Sequence, residues 1–226
     1  WVLVSPHRAK RPWNGKTETV QADERPHYDP DCYLCPGNTR AGGKVNPDYT
    51  DTYVFQNDFS ALLPDTPRGE YDLDGLLVAR GERGICRVID FTPDHSLTMA
   101  EMSPQQLRRV VDVWAEQYAE LGGVDWIEHV QIFENKGGIM GNSNPHPHGQ
   151  IWAQSSIPGE PAKKTACQKT YFERTGRSLL ADYAEKELAL GERVIAADEY
   201  FALLVPFWAT WPFETMIIPR RHVTAI

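Results

Sequence analysis

The sequence lacks the marks of several large protein classes. It contains no run of about 18 apolar residues, the length that a helix needs to cross a bilayer, so we expect no membrane-spanning helix. Basic residues are too few for a general nucleic-acid binder, because 31 Asp and Glu outnumber 23 Lys and Arg and leave a net charge of −8. The first eight residues do not follow the basic-then-apolar order of a secretory signal, and Trp1 is not an initiator methionine, so we expect that the true N-terminus is missing.

Cysteine is also scarce, with four residues in the chain of 226. This scarcity argues against a disulfide framework and favours a reducing compartment, which predicts a cytoplasmic protein. Cys32 and Cys35 form a Cys-x-x-Cys pair before a Pro-Gly turn, the spacing of half a zinc knuckle or of a redox pair. No second pair exists, so the other ligands of a metal would be histidines or carboxylates, and His95 and His146 are the candidates. Two reduced structural cysteines remain the alternative.

Residues 144–152, Asn-Pro-His-Pro-His-Gly-Gln-Ile-Trp, carry the strongest chemical signal in the chain. Side chains alternate along an extended strand, so His146, His148 and Gln150 would share one face and could serve a phosphate or a metal. The preceding residues 135–144 are rich in glycine and amides, and such a turn lets backbone N–H groups approach an anion. We favour a functional site here over a plain turn and strand whose histidines bind water.

A cationic loop near the start of the chain offers a second possible anion contact. Arg8 and Arg11 lie between two prolines in a chain that is acidic overall. The loop is either solvated surface or a clamp for phosphate, because the arginine guanidinium matches phosphate geometry.

The apolar pattern predicts an α+β fold. An amphipathic helix should begin after Ser103, with Pro104 in its first turn and Gln106 completing a capping box, and should end at Gly122. A polar segment over residues 158–193 should be helical with breaks at Gly176 and Gly191. Strands are expected over residues 1–4, 53–59, 84–91, 127–134, 144–152, 194–197, 200–205 and 214–218.

One internal echo suggests a repeat. Residues 213–222 resemble residues 87–95, since both are an apolar strand followed by a proline and then a histidine. A duplicated α+β unit is the simple interpretation, with the second copy stopping at Ile226 before its own helix and histidine strand. This predicts one domain over residues 1–192 and the beginning of a second over residues 193–226.

Residues 133–138 and 143–152 closely resemble the galactose-1-phosphate uridylyltransferases, a branch of the histidine-triad superfamily. The resemblance implies an antiparallel histidine-triad-like sheet with flanking helices, duplicated and truncated in its second copy. Further matching segments are residues 1–12, 29–38, 46–50, 53–59, 93–95 and 211–215.

The resemblance also implies an activity, which is reversible transfer of uridylyl from UDP-glucose to galactose 1-phosphate in galactose metabolism. A homodimer is implied as well. His148 matches the family's nucleophile, and Gln150 stands where hydrolytic relatives carry a third histidine. The residues that match structural zinc ligands are Cys32, Cys35, His95 and His146. Those that match nucleotide-sugar contacts are Ala41 through its backbone, Asn57, Asp58, Asn135, Gly141, Asn142, Ser143 and Gln150, with Arg8 and Arg11 on the phosphate side.

The chain departs from the family pattern at a second metal site, which holds iron in some members. That site uses a glutamate shortly after the histidine strand and three later histidines, whereas Lys164 stands at the matching position here and the chain ends before those histidines. We therefore do not expect this site, and the family's sugar-binding loops are absent too. Two other functions are compatible with the histidine motif. The chain could be a dinucleoside-polyphosphate phosphorylase, or it could be a non-catalytic, zinc-stabilised nucleotide-binding module.

Overall fold

The computed structural model describes residues 25–142 and 144–223. Arg8, Arg11, Ser143 and the strand expected over residues 1–4 lie outside this description. The strands are β1 (Tyr53–Gln56), β2 (Glu70–Leu73), β3 (Leu77–Arg80), β4 (Gly84–Asp90), β5 (His129–Phe133), β6 (His148–Gln154), β7 (Val194–Ala197), β8 (Phe201–Leu204) and β9 (Met216–Pro219). The α-helices are α1 (Pro104–Gly122), α2 (Gly159–Thr175) and α3 (Leu179–Leu190). None of the helices in the described part of the chain is both long and apolar enough to cross a bilayer.

A four-stranded sheet in the order β1-β4-β6-β5 organises residues 25–158. All of its pairs are antiparallel, which confirms the mixed fold with an antiparallel sheet. The register places Tyr53, Asp90 and His148 in one row across three strands. Side chains of a row project from the same face.

The two faces of this sheet have different partners. One face packs on α1 and forms the main core, which is made of Ile89, Phe91, Met102, Val110, Leu121, Ile127, Ile151 and Ala153. The opposite face carries Val88, which packs on the buried Cys32, Leu34 and Cys35. Because alternation along β6 sends Ile151 into the main core, His148 and Gln150 project toward the cysteine side.

The local signals that predict α1 are confirmed. Gln106 donates its backbone N–H to the Ser103 hydroxyl at 3.3 Å and accepts the Ser103 N–H at 2.9 Å, which is a capping box. The helix ends at Gly122, and the N–H of Gly123 donates to Ala119 O.

Residues 159–223 form a second compact unit. It contains α2, α3 and the antiparallel sheet β7-β8-β9, with a small core of Ala184, Ala202, Leu204 and Ile218. The predicted helix breaks are confirmed, since Gly176 and Gly191 both have φ of +69°. The boundary predicted at residue 192 stays a prediction.

The hairpin β2-β3 was not expected from the sequence. All eight of its strand residues are exposed, so no apolar alternation marked it. Asp74 and Gly75 in its turn have φ of +57° and +68°, and an Asp-Gly pair is a known hairpin signal. That dipeptide was the available clue.

Candidate active site and metal centre

A buried cluster joins Cys32, Cys35, His95 and His146, and their ligand atoms all lie within 4.8 Å of one another. Cys35 Sγ is 3.6 Å from Nδ1 of His95 and 3.6 Å from Nδ1 of His146. A tetrahedral zinc with Zn–S of about 2.3 Å and Zn–N of about 2.0–2.1 Å would separate sulfur and nitrogen by about 3.6 Å. The donor set and its spacing therefore fit a closed four-coordinate metal site.

The cysteine turn is held by hydrogen bonds to its own backbone. Leu34 N–H points at Cys32 Sγ at 3.4 Å, and the Asn38 amide donates to Cys32 O at 2.7 Å. The buried Asn46 amide donates to Cys35 O at 3.0 Å. These contacts fix the backbone of the turn that carries both sulfur atoms.

The tautomer of His146 is set by a backbone carbonyl. Its Nε2 lies 2.9 Å from Thr92 O, which can only accept, so Nε2 carries the proton and Nδ1 keeps its lone pair for a metal. Burial lowers the pKa of His146 to about 4, so the ring is neutral at pH 7. Burial also lowers the pKa of His95 and raises that of Cys35 to about 12. A bound cation would reverse the effect on the thiol, because a coordinating thiol is deprotonated.

His148 is the first residue of β6, so the expectation that three polar side chains share one strand face is wrong for His146. His146 precedes the strand and is fully buried in the metal cluster. Only His148 and Gln150 share the strand face, and both are half-buried. The prolines on either side of His146 delay the strand, because a proline cannot donate to a ladder.

One ring nitrogen of His148, Nε2, has no hydrogen-bond partner among the described residues. Nδ1 lies 2.8 Å from His146 O and therefore donates its proton there, so Nε2 carries the lone pair. Burial lowers the pKa of His148, which keeps the ring neutral at pH 7. A neutral imidazole held by one nitrogen is a nucleophile at the other.

His148 and Gln150 line a cavity of about 250 Å³. Three other predicted nucleotide contacts, Ala41, Asn57 and Asp58, lie on the same cavity. Its remaining lining residues are Tyr33, Leu34, Arg40, Phe55, Phe59 and Val88. The structure thus joins the predicted nucleophile to one group of predicted ligand contacts.

The glycine-rich turn is placed elsewhere. Asn142 lines a second cavity of about 360 Å³ with Lys136 and His146, while Asn135 and Gly141 line neither cavity. Asn142 Oδ1 accepts the N–H of Asn144 at 3.0 Å, and Asn144 Oδ1 accepts the N–H of His146 at 2.9 Å. In this arrangement the turn supports His146 of the candidate metal cluster rather than the cavity that His148 lines.

Sequence reasoning missed four residues of this region. Thr92 and Tyr49 contact His146 Nε2 at 2.9 and 3.2 Å, and no local pattern marks them. Asp90 is fully buried in β4, and an aspartate inside the apolar run Val-Ile-Asp-Phe was the signal that could have found it. Arg40, on the cavity wall, was missed as well.

Family models match almost the whole chain. One described as galactose-1-phosphate uridyl transferase, N-terminal domain, matches residues 1–158, and the corresponding C-terminal domain model matches residues 164–226. Curated relatives named galactose-1-phosphate uridylyltransferase include proteins from Haemophilus influenzae, 53% identical over 99% of this chain and 63% of the relative, and from Rattus norvegicus, 47% identical over 99% and 58%. This chain therefore spans less than two thirds of the length of these two relatives.

Solved structures agree with the family models. A uridylyltransferase structure is 25% identical, with a TM-score of 0.74 over 88% of this chain and 62% of that chain. An ADP-glucose phosphorylase from Arabidopsis thaliana with bound ADP-glucose is 25% identical, with a TM-score of 0.71 over 99% of this chain and 66% of that chain. Since the N-terminal domain model alone matches residues 1–158 of the 226, this chain belongs to the galactose-1-phosphate uridyl transferase family.

Proposed function

We propose that this chain carries the uridylyl-transfer centre of a UDP-glucose–hexose-1-phosphate uridylyltransferase. The reaction moves uridylyl from UDP-glucose to galactose 1-phosphate and gives glucose 1-phosphate and UDP-galactose. The observation that carries the proposal is the geometry of His148, which lines a cavity and donates its Nδ1–H to His146 O, while Nε2 has no hydrogen-bond partner in the described part of the chain. The family membership and the names of the relatives support the same reaction.

The chemistry needs a nucleophile more than an acid or a base. His148 Nε2 attacks the α-phosphorus, the bond from that phosphorus to the bridging oxygen breaks, and glucose 1-phosphate leaves with the electron pair. An oxygen of galactose 1-phosphate then attacks the same phosphorus, and the P–N electron pair returns to Nε2. Because leaving group and acceptor are both phosphate anions, no strong general acid or base is required.

The other groups position the His148 ring and stabilise the charge that develops during the transfer. His146 O accepts the Nδ1–H of His148 throughout, so the positive charge that the ring acquires faces a carbonyl dipole. Gln150 Oε1 accepts the indole N–H of Trp152 at 3.3 Å, which turns the amide so that its NH2 group can donate to a phosphoryl oxygen. An amide donor does not activate water, which suits an intermediate that waits for a sugar phosphate.

We propose that the cluster of Cys32, Cys35, His95 and His146 holds one structural zinc. The donor set of two sulfurs and two imidazoles supports this, as does the 3.6 Å spacing between sulfur and nitrogen. By holding the metal, Cys32 and Cys35 would be tied to His146, the residue whose carbonyl holds His148. We propose no second metal, since Lys164 lies exposed on α2 at the position where the family carries a glutamate.

We also propose the wider organisation that the sequence suggests. Residues 1–192 would form a histidine-triad-like domain and residues 193–226 the start of a second copy, and the complete protein would be a cytoplasmic homodimer. The echoing segments support the duplication, because residues 87–95 overlap β4 and residues 213–222 contain β9. The four described cysteines are all free thiols, which fits a reducing compartment.

The test is whether the histidine becomes uridylylated. The complete protein incubated with UDP-glucose and no acceptor should gain one acid-labile uridylyl mass on His148. His148→Ala should abolish the adduct while circular dichroism and metal content stay unchanged, whereas His146→Ala should lower metal content too. An adduct on another residue would contradict the mechanism.

The same experiment separates the rival functions. The solved ADP-glucose phosphorylase is similar in fold, so ADP-glucose is the informative second substrate. We expect no adenylyl adduct from ADP-glucose under conditions that give the uridylyl adduct. An adenylyl adduct of equal yield would favour a phosphorylase, and binding of UDP-glucose without any adduct would favour a non-catalytic nucleotide-binding module.

A further inference from the structure

We propose that Arg40 is the positioning residue for the nucleoside end of the site. It holds the Asp58 carboxylate so that both carboxylate oxygens can accept the two ribose hydroxyls of the bound uridine nucleotide. This inference rests on the proposed function, because it assigns a role within the same cavity.

Arg40 and Asp58 form a buried, two-point ion pair. Arg40 Nε donates to Asp58 Oδ2 at 2.9 Å, and Nη2 donates to Oδ1 at 3.4 Å. The side chains are only 6% and 11% exposed. Removing one partner of such a pair leaves the other charge buried without compensation, so the pair acts as a unit.

Two aromatic residues of β1 fix the guanidinium itself. Arg40 Nη1 donates to the Tyr53 hydroxyl at 3.2 Å, and Arg40 Cζ lies 4.0 Å from the centre of the Phe55 ring. A planar guanidinium can stack and form a fork at once, which a lysine ammonium cannot do. The orientation of the carboxylate is therefore set by β1, the strand that also lines the cavity through Phe55.

The turn that carries Arg40 is packed tightly against Asp58. A Cβ added at Gly42 would lie 2.5 Å from Asp58 Cγ and 2.8 Å from its Oδ1. Only glycine permits this approach without moving the carboxylate. The pair is thus confined by Arg40 on one side and by the backbone at Gly42 on another.

The chemistry of the pair indicates which part of a ligand it meets. A carboxylate oxygen has two lone pairs, and Arg40 uses one on each oxygen, so one acceptor site per oxygen remains. Two neighbouring acceptors match a vicinal diol better than uracil, whose base offers a single N–H. The Arg40 charge also cancels that of Asp58, so an anionic nucleotide is not repelled.

Arg40 should act on binding rather than on the chemical step. It lies on the cavity wall with Asp58, and no hydrogen bond links it to His148 in the described part of the chain. We therefore expect its variants to raise KM for UDP-glucose with a much smaller change in kcat.

The experiment compares the affinities of the complete protein for UDP and for 2′,3′-dideoxy-UDP. Wild type should prefer UDP by about 10- to 100-fold, the range expected for hydrogen bonds to a charged group. Asp58→Asn and Arg40→Gln should each lose most of that preference. The double variant should lose no more than the more affected single variant, since both changes remove the same interaction.

The controls separate positioning from folding. Arg87→Gln breaks an ion pair with Glu120 at 2.7 Å on the α1 side of the sheet and should keep the wild-type preference. Arg40→Lys keeps the charge without the fork, so it should still lose preference if Arg40→Gln does not fold. A folded Arg40 variant with the wild-type UDP preference would overturn the role of Arg40 alone. A wild type that does not bind UDP would overturn the proposed function and this inference together.

Discussion

Asp90 is the most unusual single residue of the sheet. It is fully buried on β4 directly opposite His148, and neither of its carboxyl oxygens has a hydrogen-bond partner among the described residues. Burial raises the pKa of this carboxyl well above its usual range, although the Arg40 charge and the nearby Tyr49 hydroxyl act in the opposite direction. The proton of Tyr49 goes to Leu34 O at 2.7 Å, which leaves burial dominant and favours the protonated form of Asp90.

A buried carboxyl group with a raised pKa should make the free energy of unfolding fall as the pH rises. Above the unfolded-state pKa of about 3.9 the unfolded chain releases this proton while the folded chain keeps it. Asp90 therefore costs stability as pH rises toward its folded pKa, by about 1.4 kcal/mol per pH unit relative to Asp90→Asn. Urea unfolding of metal-loaded wild type and Asp90→Asn should be measured between pH 5.5 and 8. The free energy of unfolding of the variant should rise relative to that of wild type as the pH increases.

The matched control is Asp65→Asn, which removes the same charge from an exposed position. Its free energy of unfolding relative to wild type should stay nearly constant over that pH range. A gap between Asp90→Asn and wild type that is flat, or that narrows with pH, would mean that Asp90 is ionised in the folded protein.

At the level of secondary structure, the sequence predicted the features that depend only on residues close together in the chain. The capping box of α1 and the glycine breaks at residues 176 and 191 depend on contacts within a turn, and each is found where it was expected. The sheet order β1-β4-β6-β5 could not be derived in this way, because pairing depends on segments far apart in the chain. The start of β6 was also missed, since it depends on His146 turning into the metal cluster.

Gly149 shows how one strand position connects the core to the site. It lies between His148 and Gln150 but faces the α1 side, and a Cβ there would lie 2.8 Å from Phe91 Cζ and 3.1 Å from Phe133 O. Phe91 is buried against Trp114 with ring centres 6.1 Å apart, so it has little room to move. A side chain at this position would therefore collide with the core and would not enter the ligand cavity.

We expect Gly149→Ala to destabilise the protein by about 1–3 kcal/mol through overpacking, and to slow uridylylation because β6 must shift. Gly122→Ala is the matched control, because nothing lies within 4 Å of a Cβ at that helix position. Urea unfolding and the rate of adduct formation measure the two effects. Equal stability of the two variants would contradict the close packing of Phe91 on this strand.

At the scale of the whole molecule, the site is assembled from distant parts of one unit. Residue types and spacing were enough to propose the metal ligands, because a Cys-x-x-Cys pair carries its chemistry locally. The supporting contacts were not accessible, since Thr92 and His146 are 54 positions apart and Arg40 and Asp58 are 18 apart. Tertiary folding alone brings such pairs together, so the sequence could suggest candidate reacting groups but not the groups that hold them.

This assembly predicts which strands and helices will lose stability when the metal is removed. The ligands lie within residues 25–158, and residues 159–223 have a core of their own. Metal analysis should give about one zinc per chain.

Chelation or Cys32→Ser should lower thermal stability and the hydrogen-exchange protection of β4 and β6, because the ligand set closes long loops around these strands. The protection of α3 and β8 should stay unchanged. Cys167→Ser, which alters an exposed thiol on α2, should change neither metal content nor exchange. A metal-free chain with unchanged protection in β4 and β6 would show that the cluster is merely a set of packed thiols and imidazoles.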